Sequence, residues 1–120
     1  MIHEEKKIGK IVEEMTMFFF AVGAKNMETK IERIDNEVKI TFHSDYNPEY
    51  ENTLLNVEQY LLEPKNEGME DMYWELAGTG EPGESDQLLL VGMMIDRYEF
   101  HLEEGKAEFV FYRELERVAI

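Results

Sequence analysis

The stretch from Leu88 to Tyr112 constrains the fold most, because two periods meet in it. Leu88, Leu89, Leu90, Val91, Met93, Met94 and Ile95 are apolar around the whole circumference of a helix, as in a buried helix. Asp86 or Ser85 stands where a cap is needed, and the run is too short to span a bilayer. The period then drops to two. Tyr98, Phe100 and Leu102 alternate with Glu99, His101 and Glu103; Glu104-Gly105 supplies a turn; and Ala107, Phe109 and Phe111 alternate with Glu108, Val110 and Tyr112. A slip of one residue would turn every apolar side chain to solvent, so the pattern predicts an amphipathic hairpin of fixed register.

The same plan recurs earlier. A shift of 69 positions without a gap carries Val91-Gly92 onto Val22-Gly23, Gly105 onto Asn36, and Ala107, Phe109 and Phe111 onto Val38, Ile40 and Phe42. Identities are few, so this is a repeated architecture and not a sign of gene duplication. Ile8, Ile11, Val12, Met15, Phe18, Phe19 and Val22 predict a helix over 3–23 with one broad apolar face, which the cluster Phe18-Phe19-Phe20 widens near its end as core packing. Residues 27–34 alternate less regularly, Asp35-Asn36 can turn, and Val38, Ile40 and Phe42 return as a cleaner strand. Asn47-Pro48 opens a further helix whose stripe is Tyr50, Leu54, Val57 and Leu61 and which ends at Glu63-Pro64. A helical piece is expected from Met69 to Leu76.

Composition bounds the function classes. At 120 residues the chain, 1–120, reads as one α+β domain with one core. A formal charge of -15 opposes sequence-independent binding to nucleic acid or an anionic membrane and permits a basic protein partner. Without cysteine there is no thiolate nucleophile, disulfide or zinc-thiolate site. No signal-peptide pattern opens the chain, and the expectation is a soluble cytoplasmic protein. Homo-oligomerisation stays open.

Candidate chemistry is sparse. Residues 77–85 hold three glycines and Pro82, so they form neither helix nor strand interior. Gly78, Thr79, Gly80 and Gly83 could cradle a phosphate, although no Lys-Ser/Thr follows and Glu81, Glu84 and Asp86 would repel one. His43 with Asp45, or His101 with Glu99 and Glu103, could orient a proton or hold a metal, but such pairs commonly sit on solvated strands, and no metal site is assigned. Met69, Met72, Tyr73 and Trp74 form a group suited to protein contact.

Two stretches, Phe18 to Asp45 and Leu88 to Tyr112, together resemble the histidine-kinase-like ATPase family, which includes sensor kinases, anti-sigma-factor kinases and gyrases. The resemblance implies a two-layer fold with helices on one face of a mixed sheet and ATP near the glycine-rich loop. It implies that Asp45 accepts from the adenine amino group, with Gly78, Thr79, Gly80 and Gly83 near the phosphates. The chain departs from the family pattern at the metal position, where Phe20 and Thr16 stand in place of Asn and Glu, and a hard cation wants oxygen ligands. Asp45 is followed by Tyr46, Asn47 and Pro48 instead of glycines.

The expectation is therefore a two-layer α/β sandwich, with four main strands in two hairpins and helices on one sheet face. In function it is a non-catalytic cytosolic regulatory or protein-interaction module on a histidine-kinase-like ATPase scaffold, without cofactor. Two alternatives stand beside it: an active member binding ATP with magnesium, such as a small anti-sigma-factor-like kinase, and an unrelated α+β ligand-binding domain.

Overall fold

Three-and-four spacing of apolar residues folds the start of the chain into helix α1 (Glu4–Ala21), with Glu4 and Glu5 in the first turn, where the helix dipole favours anions. Ile8, Ile11, Met15, Phe18 and Phe19 are buried along it. Phe20 is not. It is 63% exposed, so the expected widening of the apolar face stops at Phe19, the neighbouring position having rotated out to solvent. The helix ends in a Schellman motif: Ala24 N–H donates to Phe19 O, Gly23 N–H donates to Phe20 O, both at 3.0 Å, and Gly23 has φ +81°.

This computed structural model describes residues 4–61 and 85–115. The expected Met69–Leu76 helix and all but the last residue of the glycine-rich stretch lie outside them. Four strands follow the alternating segments: β1 (Met27–Ile34), β2 (Glu37–Asp45), β3 (Arg97–Glu103) and β4 (Lys106–Glu114). Their order is β1-β2-β4-β3 and every pairing is antiparallel, which departs from the mixed sheet that the ATPase resemblance implies.

The 69-residue shift holds residue by residue in the sheet. β2 lies 69 positions before β4, and the pair Glu28 with His43 reappears as Arg97 with Tyr112. The turns obey it too, since the two non-glycine residues with positive φ among the described residues, Asp35 (55°) and Glu104 (45°), correspond. The central pairs Ile40 with Phe111 and Phe42 with Phe109 exchange under the same shift, so the sheet has a local twofold about its middle seam. The helices break this symmetry: Gly23 closes α1, whereas its counterpart Gly92 is buried inside α4 (Ser85–Met94).

The core lies between the sheet and the helices. Val38, Ile40 and Phe42 of β2 and Ala107, Phe109 and Phe111 of β4 are buried, and Phe19 of α1 sits over the seam with ring centroids 5.8 Å from Phe42 and 5.7 Å from Phe109. α4 packs beside α1 and presents Leu88, Leu90, Val91 and Met94 to the same core, consistent with its apolar circumference. Arg113, also fully buried, binds both carboxylate oxygens of Glu4 (2.9 and 2.8 Å) and donates to Met94 O at 2.6 Å, tying α1, α4 and β4 together.

The helix expected from Asn47 comes in pieces. Asn47 accepts from Glu49 N–H and starts a 3₁₀ turn (Pro48–Tyr50), followed by α2 (Glu51–Leu55) and α3 (Glu58–Leu61). Between them the Asn56 side chain donates to Asn52 O at 2.8 Å, a local bond of the kind that competes with helix propagation. The intended stripe survives at Leu54, Val57 and Leu61, all buried, while Tyr50 stays 36% exposed. No described helix is long and apolar enough to cross a membrane.

Candidate functional site

All the described helices pack on one sheet face. On the other, cross-strand register lines up Glu28, His43, Glu108 and His101 in one row over all four strands. His43 Nε2 lies 2.6 Å from Glu108 Oε2. Under the 69-residue shift the counterpart row is Arg97, Tyr112, Lys39 and Glu32, and its own side chains cross-link it. There Arg97 stacks 3.9 Å over the Tyr112 ring and forks onto Glu37 at 2.5 and 3.1 Å, and Tyr112 O–H donates to Glu99 at 2.7 Å. That bond, with partial burial and the Glu99 charge, pushes the Tyr112 hydroxyl pKa upward. The sheet thus carries a web that recruits Arg97 at one end and the His43–Glu108 pair among carboxylates at the other.

The acidic end forms a shallow basin of about 980 Å³ around the strand termini, lined from 26–28, 43–45, 103–104 and 106–108 with His101. Glu28, Asp45, Glu103, Glu104 and Glu108 contribute five carboxylates, against the single ammonium of Lys106 and the imidazoles of His43 and His101. Such a surface attracts cations and repels phosphates.

Asp45 is at its rim, committed to the backbone beside it. Oδ1 accepts from Lys25 N–H (2.7 Å) and Asn26 N–H (3.0 Å), and Oδ2 accepts from the Asn26 side chain at 3.1 Å. The Asn26 and Lys25 amides, with the Asn26 side chain, hold its carboxyl below the usual carboxylate range. Asn47 N–H donates to Val22 O at 2.9 Å, so the exit of β2 is strapped to the end of α1.

Of the other sequence candidates, His43 meets Glu108 and not Asp45, which turns to the Lys25–Asn26 loop. His101 faces Glu108 across the β3–β4 pair, with Glu99 and Glu103 on the same strand face. Among the described residues no three His, Asp or Glu side chains are placed to hold a metal ion. Gly78, Thr79, Gly80 and Gly83, and the contact group Met69, Met72, Tyr73 and Trp74, lie outside the described residues. Sequence reasoning missed Glu28, Glu108 and Lys106. The available signal was the alternation itself, but using it requires knowing that β2 pairs with β4.

The class that fold and basin define is an antiparallel α+β sandwich with an acidic basin at one sheet end. No protein-family model, curated protein or solved structure matches the chain.

Proposed function

We propose that the protein is a non-catalytic regulatory or protein-interaction module of the cytosol, and that its partner presents Lys or Arg side chains to the basin. The observation that carries this reading is the charge asymmetry of the sheet: the end cross-linked by Arg97 and Tyr112 has a counterpart lined by five carboxylates. Cationic side chains arriving there would gain charge-assisted hydrogen bonds from Glu28, Glu103 and Glu108. The long-range attraction of a chain carrying -15 would speed the encounter and make it salt-dependent.

The alternative, an ATP-binding member of the histidine-kinase-like family, draws less support. It asks Asp45 to serve an adenine while both its oxygens already hold the Lys25–Asn26 loop, and it brings triphosphate toward carboxylates. An amide NMR titration separates the two. An oligo-lysine peptide should shift Ser44, Asp45 and residues 103–108, and the shifts should fade as salt rises toward 0.5 M, while magnesium ATP leaves them unmoved. Shifts with magnesium ATP and none with peptide would reverse the assignment.

A further inference from the structure

We propose that two copies of the chain join edge to edge through β1, antiparallel about a twofold axis at Ile31, to make one eight-stranded sheet. β1 is an outer strand with β2 as its one neighbour among the described residues. It is regular over eight residues, with neither the proline nor the bulge that blunts many free edges, and its charged residues, Lys30 among them, bear on which partner can pair there. Its helix-side residue Ile31 is 53% exposed and Ile34 is 56% exposed. The counterpart of Ile31 on the opposite edge, Phe100, is half-buried with its ring 4.6 Å from Phe109. The two edges are equivalent in backbone and unlike in cover.

Charge selects a second copy as the occupant. In a chain of net charge -15, the charged residues of β1 cancel, with Glu28 and Glu32 against Lys30 and Arg33. Residues directly opposed across an antiparallel pair share a face, so in a continuous sheet only registers that match odd with odd and even with even are open. Centring the pair on Ile31 sets Lys30 against Glu32 of the other copy, twice, and Ile31 against Ile31. Moving the centre one residue toward the start opposes Lys30 to itself, and moving it one residue onward opposes Glu32 to itself. Like charges directly opposed destabilise a strand pair, so the Ile31-centred register is favoured.

Sedimentation velocity on the full chain between about 5 and 500 μM tests this, the range covering the weak end of specific association. The wild type should pass from monomer to dimer. Lys30→Glu and Glu32→Lys should each weaken dimerisation about tenfold or more, because two symmetry-related pairs change sign together. Mixing the two variants should restore association, since each copy then meets its opposite charge. Lys30 is 73% exposed at its side chain, and far-UV circular dichroism verifies that both variants fold. Hydrogen exchange of the wild type is a second readout, with amide protection in 28–34 expected to rise with concentration. A wild type that stays monomeric, variants that dimerise as tightly as wild type, a mixture no tighter than its components, or concentration-independent protection in β1 would each overturn the proposal.

Discussion

Three glycines, identical in chemistry, should respond to the same substitution in three ways. Gly23→Ala places a Cβ at φ +81°, and that Cβ would meet Asn47 Cβ at 2.8 Å, well inside van der Waals contact. The left-handed conformation costs an L-residue roughly 1–2 kcal/mol. The contact adds roughly 1–3 kcal/mol, as overpacking does, because Asn47 cannot retreat without loosening its bond to Val22 O and its cap on the Pro48 turn. Restricting the unfolded chain returns about 0.4–1 kcal/mol, leaving a net loss of ~1–4.5 kcal/mol. Gly105→Ala shares the positive φ (+79°) but meets nothing within 4 Å, so it should lose only ~0–1.5 kcal/mol, less than Gly23→Ala by the contact term, and isolates the conformational cost. Gly9→Ala lies in α1 with open space around it and should gain about 0.8–1 kcal/mol from helix propensity. Urea unfolding monitored by circular dichroism, with unchanged m-values, measures all three. Equal losses at Gly23 and Gly105 would refute the Asn47 contact, and a loss at Gly9 would refute the description of α1.

Other outcomes follow from the same packing. Phe19→Ala should cost about 3–5 kcal/mol, whereas Phe20→Ala next to it should stay within about 0.5 kcal/mol; similar values for both would contradict their opposite burial. Glu14 is 1% exposed and pairs with Lys10 Nζ at 3.3 Å, and among the described residues neither carboxylate oxygen accepts a hydrogen bond. Glu14→Met should therefore raise stability by ~1 kcal/mol or more in urea melts, and a loss would show that the carboxylate is held better than this geometry allows. Asp45 has its folded-state pKa lowered from 3.8, so its stabilising contribution is in place above that value and is lost as pH falls through the lower folded one. Asp45→Asn should flatten the acid limb of stability below pH ~4, and an unchanged limb would remove Asp45 from its structural role.

The elements most legible in the sequence are those specified locally. The helix from Leu88 and the hairpin to Tyr112 fold where the change of period puts them, and both turns, Asp35-Asn36 and Glu104-Gly105, join the strands as expected. β1 also matches its expected range, Met27–Ile34, despite its irregular alternation. What the pattern could not carry is the meeting of the hairpins. Nothing local says that β2 lies against β4, so Glu108 opposite His43 was invisible, and His43 with Asp45 looked the nearer pair although their side chains diverge. The break at Asn56 escaped notice because periodicity registers the apolar stripe and not an amide competing for a backbone carbonyl. Phe20 was hidden inside a run of three identical rings.

The seam between β2 and β4 also divides the order of folding. Each hairpin closes a two-residue turn and can form within microseconds. The seam joins residues from 61 apart (Asp45 with Lys106) to 77 apart (Glu37 with Glu114), so its loop-closure entropy is met before its contacts reward it. Phe19, Phe42 and Phe109, which come together only at the seam, are then the side chains whose truncation slows folding. Changes within either turn, already closed when the seam forms, likewise act mainly on the rate of folding and little on the rate of unfolding.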